Sequence, residues 1–110
     1  MPNEISRQFI DGVNFTATNS ASTSPRQAFA TMAGAIVFVV SASSATSIAW
    51  YVCYGGDDTP VPLINSAGNA VTTAISAGNA YELPSALYAA RYVVPVVNAG
   101  SAVLRMCCKA

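Results

Sequence analysis

The side chains that could do chemistry in this chain are few, and their spacing works against them. Asp57 and Asp58 are the one adjacent carboxylate pair; in the Gly55-Gly56 turn they could offer oxygens to a Ca²⁺ ion, but no third acidic residue lies nearby in sequence. A solvated polar turn is therefore the favoured reading. Asp11 and Glu82 could form the acid pair of a glycosidase if the fold brought them to within about 10 Å, and nothing in the sequence does so. The many serines lack an activating base: there is no histidine, and the single lysine is Lys109. Cys53, Cys107 and Cys108 are an odd number, and neighbours on a strand point to opposite faces, so Cys107 and Cys108 cannot readily share a bridge or a metal. They read as small buried hydrophobes, with Cys53 pairing to one of the other two as the alternative. The expectation is a non-enzymatic protein with no cofactor and no metal.

The elements around these residues come from the hydrophobic pattern. A chain of 110 residues is the size of one domain. It is 53% hydrophobic and only 9% charged, against about 25% charged in an average domain, so its surface must be built mainly from Ser, Thr, Asn and Gly. Net charge is zero, which leaves no electrostatic footprint for nucleic acid or an anionic membrane and little repulsion between copies. Assembly with other chains is the expected consequence. Residues 1–10 carry Glu4 and Arg7 and no apolar core, so a secretory signal is not expected. Residues 27–56 hold no charge, but the serines at 41, 43, 44 and 47 divide them, and two strands around a polar turn are expected rather than a membrane span.

Along the chain, Phe9, Ile10, Val13 and Phe15 around Asp11-Gly12 suggest a short hairpin or an extended arm, and residues 19–25 a polar loop. One helical turn is conceivable over 28–32. The run 35–41 reads as a strand with Ile36, Phe38 and Val40 on one face, Val37 and Val39 on the other, both covered. Residues 46–54 read as the clearest strand, with Ile48, Trp50, Val52 and Tyr54 together. Shorter strands follow at 61–64, where Pro60 and Pro62 suggest a sheet edge, at 70–75 and at 80–83. Pro84 starts a helical turn through Tyr88, and strands at 91–97 and 102–109 complete the set. The motif SAGNA at 66–70 and 76–80 reads as two similar turns flanking one strand. The fold class expected is all-β: a β-sandwich or jelly-roll-like domain over 26–110 with about eight short antiparallel strands, preceded by an N-terminal arm or hairpin over 1–25.

Seven residues are the expected interface set. Phe9, Ile10, Val13 and Phe15 would bury apolar surface of the arm on another subunit; Tyr51 is the aromatic best placed for exposure; Arg91 and Arg105 lie out of phase with the apolar residues of their strands. Tyr51, Tyr81, Tyr88 and Tyr92, if clustered outside, would support a carbohydrate contact instead.

Residues 50–109 also resemble a pattern of small virion proteins of tailed bacteriophages. The matching residues are Trp50, Gly56, Asp57, Pro62, Leu63, Gly68, Val71, Tyr81, Leu83, Pro84, Leu87, Arg91 and Tyr92. The resemblance covers about half of the chain and implies a β-sandwich that serves as a head decoration or cement protein, or in fibres and tails, usually as a trimer. It implies a homo-oligomer bound to the major capsid protein or another virion protein and located in the virion, with a carbohydrate-binding or fibre-associated module as the alternative. Neither nucleic acid nor membrane is an expected partner.

Overall fold

The computed structural model describes residues 9–11, 13–28, 34–53 and 59–109, with backbone alone at 9–11, 108 and 109. Among the described residues there are ten strands: β1 (Phe9–Asp11), β2 (Phe15–Thr18), β3 (Gln27–Ala28), β4 (Gly34–Ser43), β5 (Ser47–Cys53), β6 (Val61–Pro62), β7 (Thr72–Ala74), β8 (Ala80–Glu82), β9 (Tyr92–Val97) and β10 (Ser101–Lys109). A 3₁₀ turn, Ser85–Ala89, follows Pro84. The expected strands from residue 35 onward are found, β4 and β10 longer than expected and the others shorter, and β3 is an additional strand. No helix among the described residues is long and apolar enough to cross a membrane; the uncharged run weighed as a span carries β3, β4 and β5.

The strands form two antiparallel sheets. In the first, β4 lies between β10 and β8, and β10 carries both β1 and β2 on its other side; in the second, β9 lies between β3 and β5, and β5 carries both β6 and β7. Each doubled partner behaves as one strand with an interruption. Asp11 faces Cys107 and Phe15 faces Leu104, so the register against β10 shifts by one residue between β1 and β2. Of the two expectations, a short hairpin or an extended arm, the hairpin is not formed: β1 and β2 each pair with β10 of the same chain. The reason is the register: both segments run antiparallel to the same strand, so neither can pair with the other. On the opposite edge, Leu63 N donates to Trp50 O at 2.8 Å and Trp50 N to Val71 O at 3.1 Å, while an Ile64–Ala70 bridge closes the excursion between β6 and β7. Counted this way there are eight strands, and the chain crosses between sheets so that the first pairs with the eighth, the eighth with the third and the third with the sixth. In the other sheet the order is second, seventh, fourth, fifth. This interleaved order is that of a jelly roll.

Period-two burial makes the core. Val37, Val39, Ala102, Leu104 and Met106 of the β10 sheet meet Ile48, Trp50, Val93 and Val97 of the β9 sheet, with Ile75, Leu83 and Leu87 closing the ends. Trp50 is buried and its indole N–H is satisfied by Thr73 Oγ1 at 2.9 Å. The phase of β4 changes within the strand: Leu104 faces Val39 but Val103 faces Ser41, so Val40 is an extra residue, and beyond it Ala42 turns toward the core in place of odd-numbered positions.

The turns are fixed by polar side chains and by glycine. Asn98 Oδ1 accepts from Thr46 N (2.9 Å) and Ser47 N (3.2 Å), and its Nδ2 donates to Thr46 Oγ1 (2.8 Å). Gly100 has φ of 60° and stands so close to Ser43 that a Cβ there would overlap its carbonyl oxygen. The two SAGNA motifs are alike in conformation, Gly68 and Gly78 having φ of 85° and 87°, and they do flank β7. Their uses differ: in the first, Asn65 Oδ1 accepts from Ala67 N and Asn69 N, whereas in the second Gly78 and Asn79 bond to Val39 of β4.

Candidate interaction surface

The two outer faces of the sandwich are finished differently. On the β9 sheet, Cys53, Val94 and Val96 are buried in a second cluster, with Ala21, Tyr51 and Tyr92 packed against it. Ala21 belongs to the polar loop 19–25, which Ser24 ties down: its hydroxyl donates to Pro95 O and accepts from Thr18 N at 3.1 Å. The loop thus helps to cover an outer face with the chain's own atoms.

The outer face of the β10 sheet has no such cover among the described residues. Ile36 and Phe38 of β4 are 46% and 41% exposed, and Val40 at the bulge 49%. This corrects the expectation that both faces of 35–41 are buried. Alternation fixes which residues share a face; only the path of a distant loop decides whether that face is covered. Around the apolar stripe the register places Cys107 and Glu82 on either side of Ile36, and Arg105 and Ala80 on either side of Phe38. Glu82 and Arg105 are exposed and Cys107 and Val103 half-buried. The stripe is thus apolar along its axis, with Glu82 beside it on β8 and Arg105 beside it on β10.

The seven sequence-derived interface residues do not converge. Phe9 and Ile10 lie in β1 opposite Lys109 and Cys108, and their side chains fall outside the described residues. Val13 is 78% exposed beside them. Phe15 packs against the protein's own core, and Tyr51 against the covered outer face of the β9 sheet. Arg91, at the bend before β9, joins Val52, Cys53, Val61, Ala89 and Ala90 around an open depression of about 400 Å³. Of those whose side chains are described, Arg105 alone borders the exposed stripe. Ile36, Phe38 and Val40 were missed as surface residues because their sequence, AIVFVV, is that of a strand buried on both sides.

The candidate chemical groups also separate. Asp11, Cys107, Ile36 and Glu82 occupy one register row across four strands, which sets the Cα atoms of the two acidic residues about 14 Å apart, too far for the glycosidase pair. Cys53 and Cys107 are free thiols, and no group of three His, Cys, Asp or Glu able to hold a metal occurs among the described residues. Asp57 and Asp58 lie outside the described residues, as does Tyr54; of the helical turn weighed over 28–32, Ala28 lies in β3 and the remainder lies outside the described residues. The tyrosines do not form one platform: Tyr88 OH accepts from Ala35 N at 2.7 Å and donates to Ala35 O, and Tyr81 OH accepts from Ser76 N at 2.7 Å. Both phenols are spent on holding backbone.

Comparison of the chain with protein-family models, with curated proteins and with solved structures finds no match.

Proposed function

We propose that this chain is a non-enzymatic structural protein of a virion, a capsid decoration or cement protein that associates with itself and binds the major capsid shell. The observation that carries the reading is the uncovered stripe of Ile36, Phe38 and Val40 on an otherwise weakly charged sandwich. Apolar side chains left in a row on a sheet face, where the opposite face is partly covered by the chain's own loop, suit a surface completed by another chain. The jelly-roll strand order and the resemblance over 50–109 support the same reading, since this architecture serves in capsid proteins. Fold alone does not assign function. In the resembling segment Leu83 and Leu87 are core residues and Tyr81 a turn lock, so those positions speak for the architecture rather than for a binding role.

The test is co-expression with the major capsid protein encoded in the same genome, followed by gradient sedimentation. Stoichiometric uptake by shells is expected; shells that sediment bare at saturating protein would overturn the reading. The carbohydrate-binding alternative rests on Tyr51 and Tyr92, half-exposed together on the β9 sheet, and silence on a glycan array removes it.

A further inference from the structure

We propose that the occupant of the exposed β10-sheet face is a second copy of the same chain, seated face to face about a two-fold axis. The inference rests on the self-associating reading above and names the surface and the symmetry.

Three features of the face carry it. First, the charges are complementary under a two-fold. Glu82 lies on the β8 flank of β4 level with Ile36, and Arg105 on the β10 flank level with Phe38, so the apolar pair stands between them. An axis lying in the interface plane, across the line from Glu82 to Arg105, sets Glu82 of each copy over Arg105 of the other. Both opposite-charge contacts then form at once, at the rim of an apolar centre. Second, the size is adequate. Four strands at about 4.8 Å span about 19 Å, and β4 and β10 run about 30 Å, so two such faces together cover roughly 1,000 Å² in projection, near the lower bound for a specific interface. Third, there is no net charge to oppose association: the chain carries five acidic and five basic residues. A flat sheet face that meets its own copy is isologous, which favours a pair over the trimer implied by the resemblance.

The test uses the full chain. Light scattering should give twice the single-chain mass at high concentration. Phe38→Asp, at an exposed position, should return it to the single-chain mass, with the unfolding midpoint of wild type measured at dilution, where the pair has dissociated. Glu82→Arg should weaken pairing at least tenfold, and Glu82→Arg combined with Arg105→Glu should restore it. Alkylation of Cys107, read at that site by mass spectrometry, should slow as wild-type concentration rises and not do so in Phe38→Asp. A single-chain mass at every concentration, or a pair indifferent to Phe38→Asp, overturns the inference. A wild-type monomer whose uptake by shells is lost in Phe38→Asp also overturns it, and assigns the face to the capsid while the virion reading stands. A pair that shells ignore supports the inference and sinks the virion reading.

Discussion

The hydroxyl of Ser24 donates to the carbonyl of Pro95, 71 residues further along the chain, and this one bond joins a surface loop to the middle of β9. Proline is tolerated there because of the pairing geometry. Trp50, its partner on β5, spends its own N–H on Val71 and its carbonyl on Leu63, so the Trp50 and Pro95 main chains look away from each other. No ladder bond is lost to the missing N–H, and the free Pro95 carbonyl is taken up by Ser24 where β3 has already ended.

Ser24 is 7% exposed. Ser24→Ala leaves both Pro95 O and Thr18 N without their partner and is expected to destabilise by about 2 kcal/mol. Urea denaturation measures this. Hydrogen exchange should also show Thr18 N–H losing protection before the core strands do.

Gly100 and Gly68 share a left-handed backbone and differ in their surroundings. Gly68→Ala meets open space and should lose about 1 kcal/mol, the conformational term alone. Gly100→Ala places a methyl group against the Ser43 carbonyl, so a loss above about 3 kcal/mol is expected. Thermal unfolding of the two variants side by side checks the order; equal losses contradict the close approach of Gly100 to Ser43.

How much of this could be read from the sequence depends on the range of the interaction concerned. Strands around Trp50 and Val94, the proline-marked edge at β6 and the paired SAGNA turns rest on local alternation and turn chemistry, and they are where expected. The bulge at Val40 depends on the register with Val103, which alternation does not encode. Likewise the fusion of β1 and β2 into one edge depends on β10, about 90 residues away. The candidate surface was hidden for the same reason: whether Phe38 meets solvent is settled by the path of residues 19–25 over the opposite sheet and their absence from this one.

Asn98 holds the β4-to-β5 corner with three hydrogen bonds. Asn98→Ala should lose about 1 kcal/mol, since the site is exposed and water replaces part of the loss. Asn98→Asp keeps the acceptor and should lose less. Chemical denaturation of the two variants distinguishes them.

Tyr88 ties the 3₁₀ turn to the start of β4 through both main-chain groups of Ala35. Tyr88→Phe is expected to lose about 1 to 1.5 kcal/mol while Tyr81→Phe, whose bonds to Ser76 are exposed, loses less. Equal losses, measured by denaturant midpoints, contradict that ranking.

Every other strand of its sheet precedes β10 in chain order, yet β10 is the one that β1, β2 and β4 all pair with. Non-local closure of this kind raises contact order and slows folding. A nascent chain must therefore leave β1 and β2 without their partner strand until residues 101–109 emerge. During that interval the apolar row on β4 has no neighbour on its β10 side, which makes the growing polypeptide a natural client for chaperones.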